Sequence, residues 1–169
     1  MSMHAEDLRR IQAPLKRRYR DDPEAAVVTL AALATLGDGV SCNLRTGQAI
    51  AAAGLHPAAG GDGTQLCSGD MLLEALAACA GVTLRSVATS LEIPVSGTVT
   101  AEGDLDFRGT LGVEREAPVG FRAIRLRFDL DTDAPQDKID SLIKLTERYC
   151  VVYQTIKSGP PVDVKMART

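Results

Sequence analysis

Ser68-Gly69-Asp70-Met71-Leu72-Leu73-Glu74-Ala75-Leu76-Ala77-Ala78-Cys79-Ala80-Gly81-Val82-Thr83-Leu84 is the stretch on which the fold turns. Leu72, Leu76, Cys79, Thr83 and Val87 recur at steps of four, three, four and four, the spacing of one helix face. Ala75, Ala77, Ala78, Ala80 and Gly81 keep the rest of the surface small. Ser68 reads as the N-cap, and Asp70 suits the positive end of the helix dipole. The pattern predicts a helix from residue 68 to about residue 90. It is apolar and small-sided enough to sit centrally, with other elements approaching closely.

Downstream, Val95, Val99, Ala101, Leu105 and Phe107 suggest a strand weakened at Gly97 and Gly103. Ile124, Leu126, Phe128 and Leu130 then alternate with Arg125, Arg127, Asp129 and Asp131. One wet face and one buried face mark an antiparallel sheet covered on one side. Asp133 with Gln136 resembles a capping box, and Pro135 fits a first turn. Ile139, Leu142, Ile143, Thr146 and Cys150 continue as a second cysteine-bearing helix face. Val162, Val164 and Met166 predict a short last strand after Pro160-Pro161.

Upstream, Val28, Leu30, Ala32, Ala34 and Leu36 alternate, then Gly37-Asp38-Gly39 turns, then Val40, Cys42 and Leu44 alternate. That is a hairpin, with Cys42 among the inward set. Residues 46–67 form a loop around Gly60-Gly61-Asp62-Gly63 without a phosphate-loop pattern. Leu8, Ile11, Leu15 and Tyr19 mark a basic amphipathic helix over residues 5–19, bent or delayed at Pro14. Residues 1–22 read as a basic helical extension and 23–169 as one α+β domain, an antiparallel sheet packed on cysteine-bearing helices.

The 169 residues carry a net charge of -3, with 45% hydrophobic and 4% aromatic residues. No global basic field or stacking platform exists to hold nucleic acid. No segment reads as the roughly 20 apolar residues a membrane span needs. MSMHAEDLRRIQ lacks the apolar run of a secretory leader, so a cytoplasmic location is expected. In a reducing cytosol Cys42, Cys67, Cys79 and Cys150 are not a disulfide framework. No C-x-x-C pair supports a zinc site, and no G-x-S-x-G elbow supports a serine hydrolase.

Cys79 and Cys150 both fall on inward helix faces. Periodicity leaves two readings open: two unrelated buried cysteines, or two thiols that meet. The segment Ser68–Leu84 resembles the first cysteine helix of the OsmC/Ohr family (osmotically inducible and organic hydroperoxide resistance proteins). Leu145-Thr146-Glu147-Arg148-Tyr149-Cys150-Val151-Val152 resembles the family's second cysteine motif, usually Cys-Pro-Val. The order of elements over residues 25–166 is similar as well.

The resemblance implies an intertwined homodimer that needs no metal or organic cofactor. It implies a thiol peroxidase acting on organic hydroperoxides. Cys79 would be the peroxidatic thiol and Cys150 the resolving thiol, with a lipoyl-type dithiol as reductant. The family lowers its thiol pKa with an Arg supported by an acid. Gly69 stands where one branch carries that acid, and Asp70 lies one position later. Arg45 and Arg20 are the candidate cations. Val151 replaces the usual Pro and relaxes the local backbone. Cys67 is a spare resolving thiol or a plain loop residue, and Glu74 is a surface or interface charge. The alternative on the same scaffold is a non-catalytic binding protein for a hydrophobic small molecule.

Overall fold

The computed structural model describes residues 5–36, 42–44, 54–64, 66–166 and 168. Its first helix, α1 (Ala5–Asp21), runs through Pro14 and ends in a 3-10 turn, Pro23–Ala26. Strand β1 (Val27–Leu36) pairs antiparallel with β2 (Cys42–Leu44), so Leu36 faces Cys42 across the ladder. The turn Gly37-Asp38-Gly39, the inward set of Cys42 and residues 46–53 and 65 of the Gly-rich loop lie outside the described residues, and Pro57–Ala59 of that loop form a 3-10 turn.

Helix α2 (Ser68–Ser90) crosses the sheet, followed by β3 (Ser96–Asp106) and a single helical turn, α3 (Phe107–Thr110). Strand β4 (Phe121–Asp131), α4 (Gln136–Tyr149) and α5 (Val151–Ser158) complete the chain. The four strands run antiparallel in the order β2-β1-β3-β4.

The sheet has two chemically distinct faces because strand side chains alternate. On the inner face Val99 pairs with Phe128 and Ala101 with Leu126. Val99 and Ala101 are fully buried, under α2. Gly103 leaves room for Phe121: a Cβ there would sit 2.5 Å from the ring. On the outer face Arg125 Nη2 donates to Asp104 Oδ1 at 2.9 Å, and its Nε to Glu102 at 3.4 Å. That is the wet-outside, dry-inside strand the charge alternation predicts.

The buried stripe of α2 is Leu73, Leu76, Ala77, Ala80, Gly81, Leu84 and Ala88. It is rotated from the expected face. Leu72 is exposed, and Cys79, Thr83 and Val87 are half-buried on the flank. The reason is packing distance: Ala and Gly form the seam, which brings sheet and helix backbones close. Helix α2 also has the length and composition of a membrane span, contrary to the sequence expectation. In this fold its apolar stripe is covered by β1, β3, α4 and α5.

Four further expectations change. Cys67, not Ser68, is the N-cap of α2. Pro135 is the N-cap of α4, and Asp133 makes no capping box. Residues 159–166 form no strand; Val162 and Val164 are more than four-fifths exposed, with no ladder neighbour among the described residues. The second cysteine helix is broken at Cys150, which ends α4 and begins α5.

Helix α1 is fastened to the loop before α2. The Tyr19 hydroxyl donates to Ala58 O at 2.7 Å, and Gln12 Nε2 to Ala59 O at 3.2 Å. Tyr19 is buried although the helix around it is studded with Arg.

Candidate active site

Cys79 projects from the flank of α2 toward the junction of α4 and α5. Cys150 sits at that junction with extended backbone, φ -71° and ψ 106°. Both thiols are free, and Cys79 packs against the buried cluster that holds Cys150. Cys150 is fully buried, whereas Cys79 is half-buried. Of the two readings left open by periodicity, the placement of Cys79 against the Cys150 cluster favours the one in which the thiols meet.

Their acidities diverge. Burial opposes ionisation of Cys79, but four donors outweigh it: the Val152 N–H, the Cys150 thiol, the Thr83 hydroxyl and the Val151 N–H. The pKa of Cys79 therefore lies below the ordinary value. Burial pushes Cys150 up to about 11, and the adjoining Cys79 adds to the rise. A thiolate is the nucleophile and a thiol is not, so the pair has one attacking sulfur and one protonated partner.

Helix α5 explains this arrangement. The first N–H groups of any α-helix lack an internal partner. At Val151 and Val152 these amides favour the ionised form of Cys79. The Tyr153 N–H donates to Cys150 Sγ at 3.5 Å. The Tyr153 hydroxyl donates to Glu147 Oε2 at 3.3 Å, tying α5 back to α4.

The other predicted site residues lie elsewhere. Asp70 is nine residues before Cys79 on the same helix, which sets it about 13 Å away along the axis. Burial raises its pKa, offset by His56 nearby. His56 stacks on Phe107 with ring centroids 5.0 Å apart, and its Nδ1 accepts from the Ala58 N–H at 3.0 Å. These residues adjoin a second cleft of about 400 Å³ lined by His56, Cys67, Leu72, Phe107 and Phe121. Arg20 is exposed in the last turn of α1, and Arg45 lies outside the described residues. Among the described residues, every group that lowers the Cys79 pKa is neutral.

A cleft of about 520 Å³ opens between α2 and α4. Val82, Val87, Leu145 and Tyr149 give it an apolar wall, and Thr83 links it to the Cys79 sulfur. Among the described residues no group of three His, Cys, Asp or Glu side chains is placed to hold a metal ion. Sequence reasoning missed the α5 amides and treated Thr83 as packing. The available signal was Val151: a residue other than Pro after the second cysteine carries an N–H.

A fold of four antiparallel strands packed on a cysteine-bearing helix, with a second thiol against it, defines the class. The sequence model for OsmC-like protein matches residues 61–165, and the chain belongs to that family. A solved structure with the same fold is an OsmC-like hydroperoxide resistance protein from Jannaschia sp. CCS1. It is 14% identical with a TM-score of 0.55, over 85% of this chain and 97% of that one. The search of curated proteins gave no match.

Proposed function

We propose that this chain is a thiol-dependent peroxidase that reduces organic hydroperoxides through Cys79 and Cys150. The observation that carries the reading is the pair itself: a half-buried thiol on α2 packed against the cluster that holds a second, fully buried thiol. The Cys79 thiolate attacks one peroxide oxygen; an S–O bond forms, the O–O bond breaks, and the alcohol leaves with a proton. Cys79 is then a sulfenic acid. The Cys150 sulfur displaces hydroxide from it, giving the Cys79–Cys150 disulfide and water. A lipoyl-type dithiol restores both thiols by two exchange steps and is itself oxidised to a disulfide.

The apolar cleft beside Thr83 favours an organic substrate, because it buries an alkyl or aryl group. A homodimer is part of the proposal. Met71, Leu72 and Val82 are exposed on α2, and the inner face of β4 is only half-buried, so a second copy has apolar surface to cover. We place the protein in the cytoplasm, where dithiol reductants keep such a pair cycling.

The test is peroxide consumption with cumene hydroperoxide and dihydrolipoamide. Wild type turns over, Cys79→Ser does not, and Cys150→Ser stops after one turnover with a dimedone-reactive Cys79. Absence of turnover in wild type, with Cys79 inert to peroxide, sinks the reading and leaves the scaffold as a binding protein for a hydrophobic molecule.

A further inference from the structure

Helix α1 turns one side inward. The Tyr19 hydroxyl and Gln12 Nε2 hold it to the loop at Ala58 and Ala59, and Leu15 packs on the core. Ile11 lies against Gly60, where a Cβ would sit 2.6 Å from its Cγ2. At about 100° per residue these four side chains share one side of the helix. Arg10, Arg17 and Arg20 fall on the opposite side and are exposed. Lys16 is half-buried on one flank, and Arg18 is exposed on the other.

The charge on this helix is out of keeping with the rest of the chain. Residues 9–20 hold six cations, Arg9, Arg10, Lys16, Arg17, Arg18 and Arg20, and no Asp or Glu. Over Ala5–Asp21 the acids Glu6, Asp7 and Asp21 bring the balance to six minus three, or +3. The whole chain is -3, so everything outside α1 carries -6. Among the described residues no acid lies within ion-pair distance of Lys16, Arg17 or Arg20. Lys16 and Arg20 are four apart and Arg17 and Arg20 three apart, spacings at which like charges repel and weaken a helix. The inward side makes no use of these cations, so within one chain the stripe only destabilises.

We propose that the outer side of α1 is a docking surface for an anionic lipid membrane, with Arg10, Lys16, Arg17 and Arg20 set against the lipid phosphates. The cations stand on a convex helix ridge about 16 Å long and line no groove, so an extended flat surface is the partner that meets them together. Arginine predominates, and its planar fork takes phosphate oxygens two at a time. The acidic remainder of the chain does not oppose contact, because exposed charges beyond a Debye length of about 8 Å are largely screened. Ile11, Leu15 and Tyr19 are committed to the domain, so α1 rests on the head groups without inserting. Attachment is therefore electrostatic, with an increment from each cation near the surface. The inference is independent of the peroxidase reading, and its test uses no peroxide.

The measurement is co-sedimentation of the full-length protein with vesicles. One set is phosphatidylcholine alone, and the other is equal parts phosphatidylcholine and phosphatidylglycerol. Wild type should bind the mixed vesicles and not the neutral ones. Arg17→Gln with Arg20→Gln changes two exposed side chains, so the fold is kept, and affinity should fall about thirtyfold. Arg115→Gln with Lys144→Gln removes two exposed cations elsewhere and should leave affinity unchanged. Salt raised from about 0.1 M to about 1 M, which shortens the Debye length from about 10 Å to about 3 Å, should release the protein.

Wild type that ignores the mixed vesicles overturns the proposal. So does equal binding to neutral vesicles, which would mean an apolar contact, or an Arg115→Gln and Lys144→Gln loss that matches the α1 pair. Tighter binding to duplex DNA than to the mixed vesicles would hand the stripe to a different polyanion and overturn it as well. Should the α1 pair not fold by circular dichroism, the salt titration of wild type decides: binding that survives high salt overturns the proposal equally.

Discussion

Two helices in this molecule begin at a cysteine, and they use it differently. Cys67 is the N-cap of α2, and Cys150 is the N-cap of α5. Cys150 accepts from the N–H three residues on, is fully buried, and meets a second thiol. Cys67 makes no cap hydrogen bond, is half-buried, and adjoins an apolar cleft next to His56. Its helix is much the longer of the two, 23 residues against 8. A helix start therefore does not create thiol chemistry by itself. What differs is the second sulfur, which α2 delivers to α5 and nothing described delivers to Cys67.

The strongest way to break this comparison is oxidation. Diamide should join Cys79 to Cys150 and leave Cys67 alkylatable in peptide maps. Cys150→Ser should abolish the intramolecular bond, and Cys67→Ser should leave its yield unchanged. A Cys67–Cys79 crosslink in wild type would erase the distinction.

Next in size is the neighbouring core between α2 and α4. Leu84 is fully buried on the same helix, five residues beyond Cys79, in a cluster with Leu142. Leu84→Ala should cost about 2–5 kcal/mol of unfolding free energy in urea titration. A cost below about 1 kcal/mol would mean that the core between α2 and α4 is looser than the burial implies.

A smaller effect is reactivity within the pair. At pH 7.5 a thiol near its ordinary value or below it is partly thiolate, whereas one at about 11 is almost wholly protonated. Iodoacetamide should label Cys79 at least about tenfold faster than Cys150. Equal rates would remove the division of labour between attacker and partner.

The smallest expected effect lies far from both cysteines, on the outer face of the sheet. Arg125 and Thr29 hold the Asp104 carboxyl down at about 2, below its ordinary 3.8, and Arg108 lowers Asp106. A depressed carboxylate stabilises the fold above its unfolded pKa and loses that contribution as pH falls through the folded value. Thermal melts should therefore hold from pH 7 to about 4 and drop toward pH 2, with Asp104→Asn flattening the drop.

Much of this was legible in sequence. Helix α2 was bounded to within a residue because its apolar run is framed by Ser68 and by the polar Thr89-Ser90. Strand β4 announced itself through strict charge alternation, and its wet face is where Arg125 meets Asp104. The break at Cys150 was not legible. The step from Thr146 to Cys150 continues a helix face, and no Gly or Pro marks a stop. The interruption shows only in three dimensions, where Cys150 is extended and its own sulfur accepts from the Tyr153 N–H. The apolar face of α2 was misread by one position because hydrophobicity favours Leu72, whereas close packing favours Ala77 and Gly81. The apolar alternation at 162–166 was real, but a strand also needs a neighbour.

The Cys79–Cys150 contact joins positions 71 residues apart, since 150 minus 79 is 71. A covalent bond there would turn an open chain into a closed loop that contains β3, β4 and α4. By the chain-entropy account, closing a loop of that length removes unfolded conformations worth about 4 kcal/mol. The oxidised protein would be the harder one to unravel, so resistance to heat would rise and fall with the state of two sulfur atoms.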